Sequence, residues 1–142
     1  MGKFINNLNR IKRYFLPAIF IFLINIPLTF FSVYLIFPWI DIPMHFFGGI
    51  SVGYLFFMSL KYFQSKKYFE LNSLSRIIFV FALVSTIAVF WEFYEFIMTF
   101  LTGYAFQGDL PDTMKDLFFG MFGGLVSALF LERKYKGYFS SK

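Results

Sequence analysis

The chain has 142 residues, 58% of them apolar and 15% charged, and its mean hydropathy of +0.66 is too high for a water-soluble domain of this length. The net charge of +5 does not indicate nucleic acid, because the basic residues lie in short runs beside apolar segments, as membrane topology and anionic-lipid contacts require. With no cysteine, a disulfide framework and a thiolate metal site are excluded, so any metal must be held by oxygen or imidazole.

Lys3, Arg10, Lys12 and Arg13 precede the first apolar run in the manner of a signal peptide. That run is long, carries Pro17 and Pro27, and ends without a small-x-small cleavage site, so it reads as a retained helix. The spacing predicts four membrane-crossing helices, at about 15–37, 43–60, 77–101 and 112–131, each close to the roughly 20 residues that cover about 30 Å of hydrocarbon. Pro38, Asp41 and Pro43 punctuate the first connection, the segment 61–76 is charged, and Gly103, Gly108 and Pro111 mark a turn-rich last connection.

Lys and Arg number four before the first span, none in the first connection, four in the second, one in the third and four after the last span. By the positive-inside rule, both termini and the middle connection face the cytoplasm. The expected fold is an all-α integral membrane protein, a single transmembrane domain over residues 1–142. Its four helices form two parallel-related hairpins in a bacterial-type inner or plasma membrane. The 25 Phe and 9 Tyr are then lipid-facing and helix-packing residues rather than an aromatic site.

Six of the eight acidic residues, Asp41, Glu92, Glu95, Asp109, Asp112 and Asp116, map to the outer half with His45, the sole histidine. At a rise of 1.5 Å per residue, Glu92 lies about 24 Å and Glu95 about 28 Å from Arg76 at the inner end of the third helix. A carboxylate inside a transmembrane segment costs about 2.5 kcal/mol or more and persists where it is paired or functional. Lys115 is the only nearby Lys or Arg, so a metal ion or a retained proton suits the Glu92 and Glu95 pair better than a salt-bridge network. Asp109 and Asp112 suit helix capping equally well.

Asp41, His45, Gly49 and Gly53 follow at four-residue steps, as do Asp112, Asp116, Gly120 and Gly124. Each helix therefore carries a polar outer end above a glycine stripe on one face. Packing the Gly49-x-x-x-Gly53 stripe on the Gly120-x-x-x-Gly124 stripe brings the polar ends together. Asn25 and Pro27 mark a bend in the first helix.

Oxygen ligands with one imidazole suit Mg²⁺, Mn²⁺ or Zn²⁺, and a cation held there bridges phosphate oxygens. The candidate ligands are Asp41, His45, Glu92, Glu95, Asp109, Asp112 and Asp116. Glu92, Glu95 and His45 are the groups able to do general acid/base work. No nucleophile constellation and no organic cofactor fingerprint is present.

The order D-x-x-x-H-F at Asp41 to Phe46, E-x-x-E at Glu92 to Glu95 after Trp91, and Q-G-D-x-x-D-x-x-x-D at Gln107 to Asp116 resembles the YjdF-like family of bacterial inner-membrane proteins. More distantly it is similar to the VanZ-like family of small membrane proteins associated with glycopeptide resistance. The matching blocks cover about the last hundred residues. The resemblance implies a small helical membrane protein and supplies no reaction.

Three functions follow as expectations. The first is an outer-face, divalent-metal site that binds or acts on a phosphate-bearing envelope lipid. The second is a non-catalytic membrane subunit whose polar cluster holds helices together. The third is a cation or proton transport element using Glu92 and Glu95. Transport calls for polar residues through the inner half, yet between Ile77 and Ala88 only Ser85 and Thr86 are polar. The expected partners are membrane lipids, with self-association into a homo-oligomer left open.

Overall fold

The computed structural model describes residues 11–140, so Lys3, Arg10 and Lys142, which enter the charge count above, lie outside the described residues. Every regular element among the described residues is helical. A turn of helix at 11–14 leads into α1 (Leu16–Phe30), which is followed by the single turn α2 (Val33–Ile36) and a 3-10 turn at Pro38–Ile40. Three long helices complete the chain: α3 (Asp41–Ser65), α4 (Ser73–Thr102) and α5 (Leu110–Ser140). These three are long and apolar enough to cross a membrane.

The first apolar run is not the continuous helix predicted over 15–37. Pro27 sits inside α1 and has no N–H to give the preceding turn, and the helix ends at Phe30. Ser32 then takes a left-handed conformation (φ 54°, ψ 32°), and Phe37, preceding Pro38, is pushed out of the helical region (φ −131°, ψ 72°). The remaining helices run longer than predicted. Asn72 caps α4 by accepting the Ser75 N–H at 2.8 Å, and Gly103 (φ 73°) ends it in the left-handed conformation that a side chain disfavours. Helix α5 continues nine residues beyond Leu131 because its last turns stay packed: Tyr135 and Phe139 lie against Phe57 with ring centroids 6.2 and 6.3 Å apart.

Helices α3 and α5 form the principal contact, and they run parallel. A Cβ on Gly49 would collide with the Gly120 carbonyl oxygen, and one on Gly53 would press on Ser127 Cβ at 2.9 Å and the Gly124 carbonyl at 3.2 Å. Such backbone proximity is what small residues at four-residue spacing permit. Gly123 does the same against the Phe46 carbonyl, a contact outside the predicted stripes. Helix α4 runs antiparallel to α5, with Val84 against Gly124 and Ala88 against Gly120. Helix α1 runs antiparallel to α3, as Tyr14 meets Tyr54 at 6.4 Å between centroids and Ile21 faces Gly48.

The buried core is small, centred on Phe57, Leu60, Val80, Val84, Ala128 and Leu131. Large apolar side chains face outward instead: Phe30 is 80% exposed and Phe100 81%. In water that surface would be prohibitive, whereas lipid tails solvate it at no cost.

At the end of the bundle where α4 starts, Arg76 and Glu132 form a buried ion pair. The Arg76 Nε–H donates to Glu132 Oε2 at 2.8 Å, a second guanidinium nitrogen reaches Oε1, and the guanidinium carbon lies 3.7 Å from the Phe139 ring centroid. Arg76 was counted above among the loop cations, but its charge is compensated within the protein.

Candidate functional site

Parallel packing of α3 on α5 carries the first turns of both helices to the same end, and α4, running the opposite way, brings its last third there. Asp41 opens α3 directly after the 3-10 turn, where the helix N-terminus favours negative charge. One turn on, His45 Nε2 lies 3.4 Å from Asp41 Oδ1 and 3.9 Å from Asp116 Oδ1. Glu92 and Glu95 project from the same face of α4 toward that imidazole. Ligand atoms of Asp41, His45 and Asp116 lie within 4.8 Å of one another, as do those of His45, Glu92 and Glu95. Since His45 belongs to both sets, the five side chains form one continuous cluster.

The cluster is short of donors. Glu95 Oε1 accepts the Trp91 indole N–H at 2.8 Å. Glu92 is only 7% exposed and Asp116 only 3%. Both oxygens of Glu92 and Oδ1 of Asp116 are nevertheless buried without a hydrogen-bond partner. Gln107 and Thr113 stand near Glu92, but neither donates to it with proper geometry, and the Gln107 amide instead donates to the Thr113 hydroxyl at 3.3 Å. Carboxylate oxygens removed from water and given no donor are costly. If all four carboxylates were ionised they would exceed the charge of one imidazolium, so a bound cation or retained protons must balance the cluster. Oxygen-rich, imidazole-containing and unsatisfied, the donor set fits Mg²⁺, Mn²⁺ or Zn²⁺.

Two of the seven candidate ligands stand apart from the cluster. Asp109 Oδ1 accepts the Asp112 N–H at 3.0 Å and so caps α5. Asp112 pairs with Lys115 at 2.6 Å, on a partly solvated surface. The one nearby cation is therefore engaged outside the cluster. Residues 112 and 116 share a helix face, but the earlier one lies a turn farther out, within reach of Lys115.

Residues 8–137 match a family described as "Predicted membrane protein (DUF2238)". The chain belongs to that family. YjdF falls within it, so the resemblance read from the three sequence blocks holds at that level. No curated protein and no solved structure matches the chain. All three blocks that carry the resemblance reach the cluster: the first contributes Asp41 and His45, the second Glu92 and Glu95, and the third Asp116.

Two neighbours of the site were not read from the sequence in this role. Asn25, assigned to a bend, lines a crevice together with Asp41 and His45, and its Oδ1 accepts the Tyr34 hydroxyl. Tyr34 comes close enough to interact electrostatically with Asp41, Glu95 and Asp116. An asparagine within an apolar run is a detectable signal, but one tyrosine among nine is not.

Proposed function

We propose that this membrane protein holds a divalent cation at the outer end of its helix bundle and uses it to bind or act on a phosphate-bearing envelope lipid. The observation that carries the reading is the set of three buried carboxylate oxygens, two on Glu92 and one on Asp116, that no donor satisfies. A cluster serving only to join helices would spend its oxygens on partners from neighbouring helices, as Glu132 does with Arg76. A cation bound by His45 with Asp41 and Asp116, or with Glu92 and Glu95, offers open positions to phosphate oxygens. With Asp41, His45 and Asp116 as ligands, Glu95 stands beside the cation as a proton-handling group.

Transport is less well supported. In the inner half of α4 the Ser85 and Thr86 hydroxyls donate to the Phe81 and Ala82 carbonyls of their own helix, so neither offers a polar step inward. The bacterial inner membrane is the proposed location, with four crossings and both termini cytoplasmic. Supporting this, the helical turn at 11–14 extends the first helical segment, which runs beside α3 in the opposite direction.

The test is thermal unfolding of purified protein in detergent with and without Mg²⁺, Mn²⁺ or Zn²⁺. A cation that binds the assembled cluster raises the melting temperature by mass action. Glu92→Gln and Asp116→Asn should abolish that rise, and Asp112→Asn should leave it. No response of the wild type to any of the three ions would eliminate the metal centre.

A further inference from the structure

A crevice of about 120 Å³ runs from the cluster along the seam of α1, α3 and α4. Asn25, Asp41 and His45 stand at its polar end, and Ala18, Val52 and Val84 line its apolar length. Two of its wall residues are glycines that helix packing does not demand. A Cβ on Gly48 would meet nothing nearer than Ile21 Cγ2 at 4.0 Å, and one on Gly120 would make an ordinary contact with Ala88 Cβ at 3.6 Å. Gly49 and Gly123 differ, since a side chain there would strike backbone. Bare positions 48 and 120 therefore leave space in the crevice.

Helix α1 packs on α3 and meets α4 through the edge contact of Phe22 on Trp91, at 6.0 Å between centroids. Contacts between α1 and α4 are otherwise sparse, so this side is the thinnest wall of the crevice. Its polar end adjoins the buried, unsatisfied oxygens of Glu92 and Asp116. A molecule matching both ends must carry an anionic group that a cation can bridge and one apolar chain continuous with it.

Building on the function proposed above, we infer that this crevice seats the first stretch of the lipid's apolar chain, with the phosphate at the cluster and the remaining chain leaving sideways past Phe22. Asn25 orients the headgroup. Its Oδ1 is occupied by the Tyr34 hydroxyl, which leaves the amide N–H groups to donate to a phosphate oxygen as an uncharged donor at a largely acidic mouth.

The experiment uses a single-chain alkyl phosphate carrying a diazirine near its phosphate end, photolysed with the full-length protein in phosphatidylcholine nanodiscs containing Mg²⁺. Labelling should concentrate on the peptides of Ala18 to Asn25, Gly48 to Val52 and Val84 to Trp91. Gly48→Leu, which fills the crevice without touching the cluster, should remove that labelling while the Mg²⁺-induced rise in melting temperature persists. Ala18→Phe, on the opposite wall, provides a second variant should Gly48→Leu unfold. Labelling spread over the lipid-facing surface and unchanged by either variant overturns the chain seat, even where the metal response holds. Absence of a metal response in the wild type is the separate outcome that removes the function on which the seat rests. An alkyl alcohol of the same length should fail to label the crevice, and equal labelling by it would show that phosphate plays no part.

Discussion

Glu132 and Glu92 are each almost fully buried, and the contrast between them is the clearest residue-level distinction in the protein. Glu132 is matched by a two-point pair with Arg76, so removing either partner strands the other charge. Arg76→Met should destabilise the fold by about 3–5 kcal/mol, while Arg76→Met with Glu132→Leu should recover most of that loss. Denaturant titration in mixed micelles measures both, and a double variant no more stable than the single one would contradict the pairing. Glu92 has no such partner, so Glu92→Gln should leave metal-free stability nearly unchanged or raise it while abolishing the metal response. The cluster was legible in the sequence because Asp41 with His45, Asp116 with Gly120, and Glu92 with Glu95 share helix faces at spacings fixed by the helical period. Its outer limit was overlooked, since Asp112 obeys the same spacing, although its i, i+3 pairing with Lys115 follows from the same helical period. The place of Tyr34 depends on a serine held in a left-handed turn, which no local pattern announces.

At the scale of helices, the four-residue steps of glycine anticipated which faces of α3 and α5 meet and that the two run in parallel. They did not anticipate which glycines are indispensable, because that depends on whose backbone lies opposite. Gly49→Ala and Gly123→Ala should each cost about 1–3 kcal/mol, since their new methyl groups strike carbonyls that can retreat only by separating the helices. Gly120→Ala, belonging to the same predicted stripe, should be tolerated. Comparing the three melting temperatures checks this, and equal losses would mean that the register of α3 on α5 differs. The pairing of Arg76 with Glu132, 56 residues apart, was hidden for a related reason. Counting loop charges treats each cation as solvated, whereas the antiparallel register of α4 on α5 places this one against an acid. The break in the first apolar run was signposted by Pro27 and Pro38, yet hydropathy alone continued through it.

For the molecule as a whole, the decisive question is how many times the chain crosses the membrane. Among the described residues, only α3, α4 and α5 have the length and apolarity to do so unaided. Helix α1 has 15 residues, or about 22 Å of rise, against about 30 Å of hydrocarbon. Three crossings would put the two termini on opposite sides, and four would put them on the same side. Contacts favour four, for Tyr14 lies beside Tyr54 and Ile21 beside Gly48, so α1 accompanies α3 through more than one helical turn toward the end that carries the cations. Charge favours four as well. Removing Arg76 from the count as a neutralised pair still leaves Lys61, Lys66 and Lys67 in the second connection, and Arg133, Lys134 and Lys136 sit on the exit of α5. Reporter tags at the N-terminus, at Lys66 and at the C-terminus should therefore all give a cytoplasmic signal, with a tag at Gly103 giving an external one. An external N-terminus with the other three unchanged would establish three crossings. It would also leave α1 resting in the outer leaflet as a movable wall of the crevice.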